Sequence, residues 1–151
     1  NHTYNHKNLR EVSSDTIKME IGRQSNSVFE ITGVKPLSFA LPYGAYPEDE
    51  EAKKYLSEGE FEGVTYRNEG ILLVGAEAAL SPYHRAFNPR AIPRIRGDEE
   101  EISKWLKYLA DSKTNYISDG NPDIITFPEE QKDNLSDNLS DSYDVNIISI
   151  E

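Results

Sequence analysis

The chain has 151 residues, 27 acidic against 16 basic, giving a formal net charge of −11 with 36% hydrophobic residues. That length suits one domain with a single sizeable core, and the acidic balance argues against nucleic-acid phosphates or anionic membrane as general partners. No apolar run approaches the roughly 20 residues that span a bilayer, and the absence of cysteine excludes disulfides, thiolate metal sites and a Cys nucleophile.

The chain opens on Asn1-His2-Thr3-Tyr4-Asn5-His6, which sets two of its three histidines four positions apart. Imidazole is the commonest metal ligand, and two at this spacing can reach one ion from a helical turn or a tight loop. The competing reading is a polar segment with incidental histidines. Ser13 or Ser14 then caps a helix over 15–31, with Asp15 near the positive end of its dipole and Gly33 as its stop. Ile17, Ile21, Val28 and Ile31 recur at helical spacing, while Gly22 and Ser25-Asn26-Ser27 weaken the middle. Residues 37–41 read as a short buried strand closed by the turn Pro42-Tyr43-Gly44. Pro47 opens a second helix over 48–57, 63–66 suggests a strand, and 71–75 suggests a fully buried one.

Residues 76–97 show no period and much Pro and Arg, the pattern of a long loop. Within it Arg85, Arg90, Arg94 and Arg96 form a basic cluster, suited to an anionic polymer or to pairing with the acidic helix that follows. Asp98 caps that helix, over 99–112, whose Ile102, Trp105, Leu106 and Leu109 share one face and predict core packing. Residues 116–118 and 124–127 are strand candidates around the turn Asp119-Gly120-Asn121-Pro122. The acidic stretch 129–144 carries Asn-Leu-Ser-Asp twice, at 134–137 and 138–141, and reads as an exposed linker or mobile loop. Residues 145–151 suggest a terminal strand. Strands alternating with helices imply an α/β architecture with a mainly parallel sheet.

Two of these features together resemble a known family. His2-Thr3-x-x-His6 is similar to the second motif of the NodB-homology polysaccharide deacetylases (carbohydrate esterase family 4), and Leu41-Pro42-Tyr43-Gly44 to the third. The order, the intervening helix and the strand before the turn agree. The likeness covers Asn1 to about Gly44 at motif level. It is looser from 71 to 127, where the Leu-Leu-Val-Gly strand, Pro93-Arg94-Ile95-Arg96-Gly97 and Ser118-Asp119-Gly120 resemble a Gram-positive branch.

The resemblance implies a catalytic domain over 1–128, the C-terminal part of a distorted (β/α) barrel with fewer than eight strands. His2 and His6 then bind a divalent metal beside an aspartate: zinc, with cobalt, nickel or manganese as alternatives. The Tyr43 backbone N–H, following Pro42, becomes the oxyanion donor, and the Tyr43 ring and Leu41 line the substrate groove. Thr3 orients the ligand loop. The implied substrate is an acetylated polysaccharide, peptidoglycan or chitin-like, with N-deacetylation the main reaction and secretion or cell-wall association the implied location.

The sequence departs from the family pattern in three ways. The opening Asp-Asp motif lies N-terminal to the histidines, and the chain begins without Met and inside the second motif. An upstream segment of a longer protein is therefore expected to supply the Asp-Asp pair, and this stretch alone is expected not to turn over. Ala40 stands where the third motif has arginine; Arg94 or Arg96 are candidate replacements, against a reading as solvated loop residues. No Leu-x-His motif is visible near 116–118, which leaves His84 as candidate general acid, against a reading as a surface histidine. The lost arginine and late histidine favour the alternative, a non-catalytic carbohydrate-binding or wall-associated protein that keeps the deacetylase fold.

Overall fold

The computed structural model describes residues 1–75, 77–111, 120–137, 139 and 142–149. The chain divides into two compact units, Asn1–Ala76 with Asn88–Arg94, and Glu77–Phe87 with Ile95–Glu151. The first contains α1 (Ser14–Thr32), β1 (Ser38–Ala40), a 3-10 turn (Pro42–Gly44), α2 (Glu50–Lys54), β2 (Glu58–Phe61), β3 (Val64–Arg67) and β4 (Gly70–Leu72). The second contains α3 (Glu99–Asp111), β5 (Ile124–Pro128), a 3-10 turn (Glu129–Asn134) and β6 (Asp144–Ile148). Helices and strands are thus mixed, in small two-stranded sheets, as an α/β chain requires. No helix among the described residues is long and apolar enough to cross a membrane.

In the first unit, α1 begins and ends where local chemistry directs. The Ser13 hydroxyl accepts from the Thr16 N–H at 3.3 Å, and Gly33, at φ 73°, donates its N–H to the Phe29 carbonyl at 2.8 Å. The helix does not break in its middle. Gly22 is instead a point of close approach, since a Cβ built there would lie 2.8 Å from the Cβ of Phe61. Ile17 and Ile21 are buried as expected, but Ile31 is 84% exposed. The apolar face runs on into a last turn that no described residue covers, and Phe29 is exposed there too.

β1 pairs in parallel with β4, Phe39 opposite Ile71. On its other edge Asn1 N donates to the Ser38 carbonyl and the Asn1 carbonyl accepts from Ala40 N–H, both at 2.8 Å, the bonding of a parallel ladder. Beyond β4 the chain from 88 to 92 returns to the sheet, Leu72 bridging Ile92 in parallel. The buried strand expected over 71–75 is shorter: past Leu72 the chain leaves the ladder and Val74 is half exposed.

β2 and β3 form an antiparallel hairpin, Phe61 opposite Val64, through Glu62 and Gly63 at φ 50° and 79°, the two left-handed positions of a tight hairpin turn. β3 matches the expected strand, whereas β2 was not foreseen. α2 is also shorter than the expected 48–57. It starts after Asp49, whose carboxylate accepts from Glu51 N–H at 3.0 Å, and gives way to turns from Tyr55. The core of this unit is Leu9, Ile17, Ile21, Phe39, Leu41, Ala52, Leu56, Tyr66 and Ile71. Each large member contributes about 1.5–3 kcal/mol by leaving water, so this cluster fixes α1 against the strands and with it the loop at the chain's start.

In the second unit β5 and β6 pair in parallel, Ile124 opposite Asp144 through Pro128 opposite Ile148. Ile125, Phe127 and Pro128 are its buried apolar residues. Asp98 caps α3, its carboxylate accepting from Glu101 N–H at 2.9 Å. Among the described residues that helix has no core packing: none of its residues is buried, and Leu106 is 63% exposed. The half-buried Trp105 is held by its own helix, its Nε1 donating to Glu101 at 3.0 Å and its ring meeting Tyr108 edge to face at 5.4 Å. The stripe is apolar by sequence, but the described residues do not close over it. Ser112, the strand expected over 116–118 and Asp119 lie outside the described residues, as do Asn138, Ser140 and Asp141 of the repeat and the end of the expected last strand. Within 129–144, a 3-10 turn precedes a bridge between Leu135 and His84.

Candidate functional site

The loop 1–6 packs on α1 and β1, and each of its anchors is identifiable. The Asn1 side chain donates to the Ile21 carbonyl at 3.0 Å and accepts from the Thr3 N–H at 3.0 Å. The Tyr4 N–H donates to the Glu20 carbonyl at 3.0 Å, and both the N–H and the side-chain amide of Asn5 donate to the Glu20 carboxylate at 2.6 Å. Thr3 and His6 both sit in the left-handed region, at φ 62° and 53°. Thr3 is buried, and among the described residues its Oγ1 has no hydrogen-bond partner.

This backbone brings the two histidines together. Their ring centroids lie 4.8 Å apart at an interplanar angle of 71°. His2 Nδ1 lies 2.7 Å from the Ala40 carbonyl oxygen. A carbonyl only accepts, so Nδ1 carries the proton and Nε2 keeps the lone pair in the neutral ring. A carbonyl on the far nitrogen is also the usual way in which a metal-binding histidine is oriented. Both rings are exposed, and among the described residues no carboxylate pairs with either imidazole. The donor set therefore fits a divalent cation with nitrogen preference. Among the described residues no group of three His, Cys, Asp or Glu stands together.

The turn after β1 faces the same loop. Leu41 and Pro42 are buried, so Leu41 belongs to the core and does not line a groove as expected; its N–H donates to the Leu72 carbonyl at 3.0 Å. The turn closes through Gly44 N–H to the Leu41 carbonyl and Ala45 N–H to the Pro42 carbonyl, at 3.3 and 3.1 Å, so the Tyr43 N–H lies outside both bonds. Tyr43 is 68% exposed at φ 57°, and its ring meets that of His6 edge to face at 4.6 Å. Gly44 is at φ 65°, and a Cβ there would lie 3.0 Å from Val74 Cγ2, so conformation and space both call for glycine.

The remaining candidates have contacts of their own. Arg94, in the first unit, donates its Nε to the Leu73 carbonyl. Arg96, in the second, pairs with Asp98 at 3.5 Å. His84 also belongs to the second unit, where its Nδ1 accepts from Ala86 N–H at 3.0 Å. It lines a cavity of about 390 Å³ with Trp105, Tyr108, Phe127 and Gln131. Arg90, of the basic cluster, donates to the Asn68 carbonyl at 3.1 Å.

Sequence reasoning missed Glu20. It occupies the buried stripe of α1 next to Ile17 and Ile21 and is 0% exposed. The signal was available: a carboxylate among the apolar positions of a helix is rarely there without donors to receive.

Comparison with known proteins adds one finding. No curated protein and no solved structure matches the chain. Residues 1–61, which contain the histidine loop, α1, β1 and the turn at Pro42, match the polysaccharide deacetylase family. Over that stretch the chain is similar to the polysaccharide deacetylases, in agreement with the resemblance carried by its two motifs.

Proposed function

We propose that the chain forms part of a metal-dependent hydrolase that removes acetyl groups from an N-acetylated polysaccharide, peptidoglycan or chitin-like, by cleaving the acetamide. The family matched by residues 1–61 supports deacetylation as the general chemistry. The observation that carries the finer reading is that the His2 and His6 rings lie 4.8 Å apart with the Tyr43 ring 4.6 Å from His6.

In this reading His2, through Nε2, and His6 hold the cation, zinc first and cobalt, nickel or manganese next. An upstream segment of the same protein supplies the Asp-Asp pair as third ligand and base. The chemistry such a cation supplies when bound is polarisation of the acetyl carbonyl and activation of water near neutral pH. The Ala40 carbonyl keeps the proton of the neutral His2 ring on Nδ1, so Nε2 is the nitrogen that offers a lone pair. The Tyr43 N–H, outside the turn's own bonds, is the donor for negative charge developing on the acetyl oxygen. The Tyr43 ring forms the groove wall, while Leu41 packs in the core and does not reach it, and Arg94 takes the part of the arginine absent at Ala40. The parallel arrangement of Asn1, β1, β4 and Ile92 supports a barrel of the deacetylase type, and the polymer substrate implies secretion or a cell-wall location.

The test is acetate release from acetylated glucosamine oligomers by the protein carrying its upstream segment, with and without a chelator. Release that chelator and His2→Ala both abolish is the expected result. Oligomer binding that ignores the chelator, with no acetate released, selects the non-catalytic wall-associated protein instead.

A further inference from the structure

Two non-glycine residues in the left-handed region within six positions make the loop at His2–His6 a conformation that its own sequence does not favour. Something outside the loop must hold it. We infer that Glu20 is the positioning residue: its buried carboxylate, by taking both donors of Asn5, fixes His6 beside His2. This inference deepens the metal reading above and rests on it.

Three observations converge. Glu20 is wholly enclosed, flanked on its helix by the buried residues Ile17, Ile21 and Gly22. A carboxylate so enclosed is retained only when hydrogen bonds satisfy it. Its partners are specific: Asn5 N–H to one oxygen and Asn5 Nδ2 to the other, both at 2.6 Å, while the Glu20 carbonyl accepts from Tyr4 N–H at 3.0 Å. The two residues immediately before His6 are therefore locked to one helix position. One residue further along α1, the Ile21 carbonyl accepts from the Asn1 side chain, which in turn holds the Thr3 N–H. The loop is thus tied on both sides of His2 and again directly before His6.

The placement of the charge matters as much as its presence. Asn5 presents a backbone donor and an amide donor that only a two-oxygen acceptor matches. An amide in place of the carboxylate offers one oxygen and aims an NH₂ at a second donor. Because the chain carries the two ligands on opposite sides of this clamp, its loss lets the rings separate and weakens any shared grip on a cation, by about 10–100-fold for supporting contacts of this kind.

The experiment uses the 151-residue chain, zinc as the probe, and the variants Glu20→Gln, Glu20→Ala and His2→Ala. Proton NMR of the metal-free protein reads the cross-relaxation between the His2 and His6 rings. Competition with a chromogenic chelator reads zinc affinity, and a thermal melt reports folding. The expected result is a ring–ring signal in the parent chain, weaker in Glu20→Gln and lost in Glu20→Ala, with zinc affinity falling in the same order. An unchanged signal and affinity in Glu20→Gln overturns the inference, and this isosteric variant decides the matter where Glu20→Ala does not fold. Zinc binding that His2→Ala removes and the Glu20 variants leave intact rejects the clamp and keeps the metal reading. A ring–ring signal that depends on Glu20, with no zinc bound even by the protein carrying its upstream segment, supports the clamp and rejects that reading.

Discussion

The His6 and Tyr43 rings meet edge to face, their centroids 4.6 Å apart and their planes at 70°. The contact joins the end of the histidine loop to the turn after β1, yet the ring of Tyr43 is mostly in solvent while its N–H is left out of the turn's bonds. Ring and amide can therefore be separated by mutation. With the donor in the backbone, Tyr43→Ala is expected to raise KM for acetylated oligomers and to keep kcat within about tenfold. Loss of a true oxyanion donor costs about 10²–10³ in kcat. Steady-state acetate release by the protein with its upstream segment distinguishes the two; a kcat lower by about a hundredfold moves the role to the side chain.

Gly44 carries two constraints at once, φ 65° and Val74 Cγ2 at 3.0 Å from a built Cβ. Gly44→Ala is expected to lower stability by about 1–3 kcal/mol, from left-handed strain plus overpacking. Val74→Ala in the same chain removes Cγ2 but keeps Val74 Cβ, 3.1 Å from the built atom, along with the conformational part. Partial rescue in urea unfolding is the expected outcome. Complete rescue assigns the whole effect to sterics.

Where the sequence was legible, the determinants were local. Ser13 and Gly33 mark the ends of α1 because a cap is chemistry within three or four residues, and the Pro42-Tyr43-Gly44 turn is visible for the same reason. What was missed depended on partners distant in sequence. Glu58-Gly59-Glu60 shows no apolar alternation, and β2 exists because it pairs with β3 and lays Phe61 against Gly22. The apolar stripe of α3 was read as core because pattern reports what a face could bury and does not show what covers it. Of the site, the two histidines and the turn could be read directly. Glu20 was missed although it falls in the apolar stripe, because a charged residue in a helix is assigned to solvent until its acceptors are matched with donors, here fifteen residues away.

Gly22 tests propensity against packing. In an exposed helix interior, Gly→Ala stabilises by about 1 kcal/mol. Here the new Cβ would meet Phe61 Cβ at 2.8 Å, and both atoms are tied to backbone, so neither can rotate away. Overpacking of this kind costs about 1–3 kcal/mol, and the steric effect is expected to win. Gly22→Ala should melt lower than the parent chain. Phe61→Gly should reverse the sign of the Gly22→Ala effect, because it removes the obstructing atom and restores the helix preference. A higher melting temperature for Gly22→Ala alone contradicts the close approach of β2.

Tyr66 gives the chain an alkaline limit whose sign can be worked out. It is 4% exposed, its hydroxyl donates to the Tyr55 carbonyl at 2.6 Å, and a Cβ on Gly59 would lie 2.4 Å from that oxygen. Burial holds its pKa well above the usual tyrosine value, because the phenolate has no water and the Tyr55 carbonyl can only accept. The folded chain then keeps this proton at pH values where the unfolded chain, titrating near 10, has lost it. The stabilisation is fully present below about pH 10 and declines as pH rises beyond it. Tyr46, also raised by burial, acts in the same direction. Tyr66→Phe is expected to cost about 0.5–1.5 kcal/mol at pH 7 through the lost hydrogen bond. Above pH 10 the parent chain loses stability faster than the variant, so the two converge. Urea midpoints measured from pH 7 to 11 test this. Curves that stay parallel across that range place the ionisation elsewhere and leave Tyr66 only its hydrogen bond.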